Sequence, residues 1–183
     1  MKNYKCFNQV ENFNIKYRYF DDVNETEIQM LINGHNILGF QRGNKSYTTR
    51  WNLDELVLWL RTFLDNISLD PYPVDSDVEF AALKDIDARK FDAENIEEFD
   101  KYYDMLDEWD MRHRWHTAND GAILADIYFQ LVDDNIEISW NNQDAEKDVD
   151  FKYKLGGAKI PKQMFISTVN DFLIDYANHW FNK

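Results

Sequence analysis

Apolar and polar residues alternate with a period of two along the first part of the chain. Phe13, Ile15, Tyr17 and Tyr19 interleave with Asn14, Lys16 and Arg18, and beyond a polar turn at 21–25 the alternation resumes at Ile28, Met30 and Ile32. Successive side chains of a strand point to opposite faces, so this pattern predicts strands with one buried face. Asn33-Gly34 is a tight-turn dipeptide ahead of Ile37, Leu38 and Phe40, and the whole segment reads as an antiparallel meander. Gly43-Asn44-Lys45-Ser46 then turns into a short stretch from Tyr47 to Trp51.

The period changes next. Leu53, Leu56, Val57, Leu60 and Leu64 keep helical spacing behind Asn52 and Glu55, which stand at capping-box separation. A helix is predicted over 52–66, stopped by Asp70-Pro71-Tyr72-Pro73, where each proline lacks an N–H and disfavours helix at the residue before it. Residues 74–93 carry no clear period beyond one helical turn near 80–83. Asn95 and Glu98 repeat the capping pattern, and Phe99, Tyr102, Tyr103, Leu106, Trp109 and His113 form one stripe of a long helix predicted to end near 119–121. Alternation returns at Ala125, Ile127, Phe129 and Leu131 and, across the turn 133–135, at Ile136, Ile138 and Trp140, which predicts a β-hairpin. A third strand is read at Phe151, Tyr153 and Leu155, closed by Gly156-Gly157. Pro161 suits the first turn of a closing helix with Phe165, Val169, Phe172, Leu173, Tyr176 and Trp180 on its apolar face. No repeat or linker composition interrupts the chain. The expected fold is therefore one α+β domain over 1–183, an antiparallel β-sheet made of the N-terminal meander, the C-terminal hairpin and the third strand, packed with three main α-helices.

Composition narrows the function classes. Asp and Glu number 34 against 20 Lys and Arg, a net charge of −14, and this repels phosphate backbones and anionic membrane surfaces. No direct nucleic-acid binding is expected, since no basic stripe longer than Arg112, Arg114 and their neighbours exists. No apolar run reaches the roughly 20 residues that span a bilayer, and the N-terminus lacks the apolar stretch of a secretory signal, so a cytoplasmic location is expected. Cys6 is the single cysteine, which rules out an internal disulfide or a cysteine-rich zinc site. The glycines lack the spacing of a phosphate-binding loop, and no serine stands in a nucleophile elbow. No cofactor is expected, and the sequence sets no oligomeric state.

Two constellations remain. His113 and His116 are three residues apart, neighbours on a helix, and with Asp120 they are the only set that suggests a metal-dependent enzyme or regulator. The alternative for this pair is that His113 continues the core stripe and His116 favourably ends the helix. The second constellation is electrostatic. Between Asp70 and Asp110 fifteen acidic residues face four basic ones, so most of the net charge lies in under a quarter of the chain. On the predicted helix Glu97, Asp100, Asp104 and Glu108 recur every three or four residues, a carboxylate about every 5 to 6 Å, with Asp107 at the edge. One DNA strand carries a phosphate about every 3.4 Å. Helical geometry adds Met111 and Trp115 to the end of this face, and a Trp beside a charged stripe is the usual composition of a binding hot spot; the alternative for Trp115 is that it packs under the closing helix or the hairpin. In composition alone, and at no specific residue, the chain is similar to small acidic immunity proteins and nucleic-acid mimics. The leading expectation is thus an acidic binding protein that neutralises or regulates a basic protein partner, such as a nuclease toxin or a phage-defence enzyme, through Glu97, Asp100, Asp104, Asp107, Glu108, Met111 and Trp115. The competing reading of the stripe is a solvated helix face.

Overall fold

The computed structural model describes residues 4–7, 12–115, 123–145 and 147–181. In chain order the elements are β1 (Lys5–Phe7), β2 (Phe13–Phe20), β3 (Glu25–Ile32), β4 (His35–Asn36), β5 (Gly39–Arg42), β6 (Lys45–Thr48), β7 (Arg50–Trp51), α1 (Asp54–Leu69), α2 (Ala81–Ala88), α3 (Ile96–His113), β8 (Ile127–Val132), β9 (Asn135–Asn141), β10 (Asp150–Phe151), β11 (Leu155–Pro161) and α4 (Lys162–Phe181). The class is α+β. Among the described residues every strand pairing is antiparallel, in three sheets: β1-β2-β3-β4 with β7 also on β3, then β10-β5-β6, and β11-β9-β8.

The meander forms as its alternation predicts. Phe13, Ile15, Tyr17 and Tyr19 of β2 and Ile28, Met30 and Ile32 of β3 are buried. Ile32 pairs with His35 across Asn33-Gly34, whose φ values of 50° and 78° are the left-handed pair that a two-residue hairpin turn demands. On this face lies α4, with Phe165 stacked on Phe13 and Phe172 set edge-on to Tyr17. Leu56, Val57 and Leu60 of α1 complete the same core together with Ile127, Phe129, Ile136 and Ile138 of the β8–β9 hairpin.

The hairpin's other face departs from what alternation implies. Tyr128, Gln130, Glu137 and Ser139 point away from the main core and would be expected in water, yet all four are buried, because α2 and α3 cover them. The covering segment brings backbone donors. Glu137 Oε1 accepts the Ala81 N–H at 2.8 Å, Ser139 Oγ accepts that of Ala82 at 3.1 Å, and Gln130 Oε1 accepts that of Tyr72 at 3.2 Å. Gln130 also donates to Glu137 Oε2 at 2.8 Å. The residue before α2 is Phe80, which has no side-chain acceptor, so the strand supplies the cap that the helix lacks.

Several boundaries move from their sequence-based positions. α2 fills part of the stretch read as irregular and makes a fourth helix. Asn52 accepts the Asp54 N–H at 2.9 Å, so α1 begins at Asp54 and runs on to Leu69. Gly156 and Gly157 do not close a strand; they lie within β11, opposite Trp140 and Ser139 of β9. A Cβ on Gly156 would come within 2.7 Å of the Trp140 ring, and one on Gly157 within 2.5 Å of the Phe80 ring, so the glycines let both rings lie against the strand. Phe151 belongs to β10, which pairs with β5 rather than with the hairpin, and Pro161 ends β11.

Replacing Glu137 by Ala leaves the Ala81 N–H and the Gln130 amide buried without acceptors, and we expect a loss of about 2–4 kcal/mol in urea melts. Glu137→Gln, which keeps one acceptor, should cost less. An alanine variant within about 0.5 kcal/mol of the parent would show that this contact does not hold the segment.

Candidate functional site

α3 carries the acidic stripe, and its ends are set by identifiable contacts. Asn95 accepts the Glu98 N–H at 3.0 Å, as the capping pattern predicts, while Glu98 reaches back to the Glu94 N–H at 3.1 Å, one residue before the N–H that a capping box would engage. Leu106, Trp109 and His113 point inward. The hydroxyls of Tyr102 and Tyr103 donate to the carbonyls of Ala88 and Arg89, fixing α3 to the end of α2.

Opposite this face Glu97, Asp100, Asp104 and Glu108 are all exposed, and among the described residues none of the four is in an ion pair. At 100° per residue they share a sector of about 80° with Met111, which is 56% exposed. Asp107 stands at the sector's edge and pairs with Arg89 at 3.0 Å. Ile96, Phe99 and Met105 are also exposed on this helix, so the carboxylates are bordered by apolar groups.

Trp115 does not share that surface, which corrects the expectation of an aromatic anchor there. The helix ends at His113 rather than near 119–121. Arg114 is extended (φ −99°, ψ 125°), and the Trp115 N–H bonds to the Ile127 carbonyl at 2.6 Å, as on a strand. Leaving the helix turns Trp115 inward, where it is 4% exposed in the main core. The signal missed was the edge of β8, a backbone partner that competes with the next helical turn.

His113 is fully buried and takes the core role. Its ring stacks on Trp109 with centroids 4.4 Å apart, and Nδ1–H donates to the Phe129 carbonyl at 2.9 Å. Nε2 lies 3.7 Å from Asp70, beyond hydrogen-bond range. Burial lowers its pKa, and the Phe129 and Asp70 oxygens offset this only in part. His116 and Asp120 lie outside the described residues, so the proposed metal trio is represented by His113 alone; among the described residues no cluster of three or more His, Cys, Asp or Glu has a metal-holding arrangement.

What sequence reasoning missed is a charge network behind the stripe. Arg89, which follows the last residue of α2, bonds Asp85 at 2.9 Å, Asp107 at 3.0 Å and Asp110 at 2.8 Å. Arg114 bonds Asp126 at 2.7 Å and, four residues back along the chain, Asp110 at 3.3 Å. The Tyr128 hydroxyl donates to Asp85 at 3.3 Å. Burial disfavours the charge on both arginines, yet the surrounding carboxylates raise their pKa values. Four carboxylates on two guanidiniums leave an excess of negative charge. Burial, with the Asp85 charge beside it, pushes Asp110 up to about 6 although both arginines act to lower it. Only Arg89, four residues after Asp85, and Arg114, four after Asp110, had a local signature.

The network lines two openings. A cleft of about 580 Å³ reaches Asp85, Arg89, Arg114, Asp126, Asn142 and Asp144. A groove of about 320 Å³ between α1 and α3 is lined by Trp59, Asp107, Asp110, Met111 and Arg114. Among the described residues no helix is long and apolar enough to cross a membrane. No family model, curated protein or solved structure matches the chain, so its site is interpreted from its own chemistry.

The two buried titrating groups act on stability with opposite signs. Between its ordinary value of 3.8 and about 6, folded Asp110 holds a proton that the unfolded chain has released, so its contribution falls as pH rises through that window. His113, buried neutral with a lowered pKa, gains its proton on unfolding below 6.5, so its contribution is lost as pH falls. Asp110→Asn removes the first effect alone. The stability of the parent minus that of the variant should therefore decline by roughly 1–3 kcal/mol between pH 4 and 6.5 in urea melts. A difference that stays flat would contradict the burial of Asp110.

Proposed function

We propose that the protein binds a basic protein partner through the outer face of α3, neutralising or regulating it by electrostatic complementarity. The observation that carries this reading is the run of four exposed carboxylates, Glu97, Asp100, Asp104 and Glu108, in no ion pair among the described residues and ending at exposed Met111. Like charges four residues apart, Asp100 with Asp104 and Asp104 with Glu108, each destabilise a helix by a few tenths of a kcal/mol. The stripe is thus unfavourable to its own helix and favourable to a cationic surface. Such a field speeds encounter and suppresses wrong partners, while neighbouring apolar groups such as Met111 and Met105 contribute contact area. A nuclease or another enzyme that holds nucleic acid in a basic groove has the matching chemistry, because the carboxylate spacing approaches that of backbone phosphates.

A short oligolysine peptide serves as the defined probe. Changing Glu97, Asp100, Asp104 and Glu108 together to Gln should leave the fold intact, with equal or slightly higher thermal stability, and weaken peptide binding by about tenfold at low salt. A control variant neutralising the exposed Asp22, Glu55, Asp134 and Asp171 removes the same charge elsewhere and should lose much less. Near 0.5 M salt the two should converge, since screening then acts within a few Å. Equal losses in both variants at low salt would reduce the stripe to a solvated face.

A further inference from the structure

We propose that the groove between α1 and α3 receives one arginine side chain of the basic partner, a reading that rests on the stripe being the partner-binding surface. The groove opens where the stripe ends, since Asp107 and Met111 belong to both. Its other wall is Trp59. The Trp59 indole N–H donates to the Met111 carbonyl at 2.8 Å, which satisfies a backbone acceptor of the last helical turn and holds the ring in place. An aromatic ring and a thioether facing two carboxylates form a setting suited to a flat cation on an alkyl stem.

The charge balance of the groove also calls for a cation. Asp110 gives Oδ2 to both Arg89 and Arg114, whereas its buried Oδ1 has no donor among the described residues. Asp107 gives Oδ1 to Arg89 and stands 68% exposed at the mouth. The four carboxylates and two guanidiniums of the network therefore carry a net negative charge, and two of those carboxylates with only one of the guanidiniums, Arg114, line this groove. The larger cleft is lined by both guanidiniums, which bond Asp85 and Asp126 there, and by exposed Asp144, whereas only one guanidinium, Arg114, lines the groove. A guanidinium entering the α1–α3 groove meets Asp107 first, lies against Trp59 and Met111, and adds positive charge next to Asp110.

The test uses N-acetyl-arginine amide as the probe and the Trp59 indole N–H resonance as the readout, assigned by its absence in Trp59→Phe. The citrulline analogue, equal in shape and uncharged, is the control. A saturable shift is expected with arginine and not with citrulline, and Asp110→Asn should weaken it about fivefold, the scale of one desolvated ion pair or cation–π contact. Met111→Lys, which sets a cation at the mouth, should abolish the shift, while Met111→Gln should retain it. Equal shifts with arginine and citrulline, an unchanged affinity in Asp110→Asn, or no saturable shift would each overturn the proposal. Because a single arginine does not need the stripe, the fourfold Gln variant should still bind this probe. A groove that fails while the oligolysine result stands, and the reverse, are thus separate outcomes.

Discussion

The acceptor atoms on one face of the β8–β9 hairpin hold the acidic part of the molecule in place. Glu137, Ser139 and Gln130 occupy the strand positions that alternation assigns to solvent, and they are instead covered by backbone N–H groups of the segment from Tyr72 to Ala82. Neither side is stable in isolation. A buried carboxylate without donors is costly, and so is a helix start without acceptors; brought together, each satisfies the other, and the carboxylate also sits favourably at the positive end of α2. Because the partners are 56 and 57 residues apart for the two helix N–H groups, α2 acquires its cap only when the hairpin is present. The small cluster of Tyr72, Ala81, Ala82, Leu106, Trp109 and Tyr128 adds apolar contact around this polar centre.

That anchorage lets a strongly charged segment remain folded. Fifteen acids between Asp70 and Asp110 repel one another, and Arg89 offsets part of this by bonding Asp85, Asp107 and Asp110 at once. The inward side of the lobe is thereby partly neutralised, while on the outward side of α3 Glu97, Asp100, Asp104 and Glu108 are in no ion pair among the described residues. A field fixed to a rigid helix is pre-organised, so binding through it loses little ordering entropy. The same network leaves Asp110 short of a donor, which gives the groove beside it a chemical preference for cations.

How much of this was legible in the sequence depends on whether the controlling contact was local. The β2–β3 pairing, the Asn33-Gly34 turn and the Asn95 cap of α3 were legible because the residues that decide them are neighbours in sequence. The position of the stripe was legible for the same reason, since helix spacing alone puts Glu97, Asp100, Asp104 and Glu108 on one face. Trp115 was misassigned because a long-range bond to Ile127 turns the chain out of the helix two residues earlier. Gly156 and Gly157 resembled a stop signal; their role is to admit the rings of Trp140 and Phe80, which no local pattern announces. Only the first turn of α2, near 80–83, was legible, since the cap of that helix comes from Glu137 and Ser139, and the groove escaped notice since Trp59 and Asp110 meet only in the fold.

The docking of this segment on the hairpin's polar face is tested most directly by native-state hydrogen exchange at the Ala81 and Ala82 amides. Both should exchange only through global or near-global opening, with protection approaching that of Gln130 and Glu137 in the β8–β9 ladder. Exchange at the rate of an exposed loop would contradict the account, because the two N–H groups would then not be held by Glu137 and Ser139.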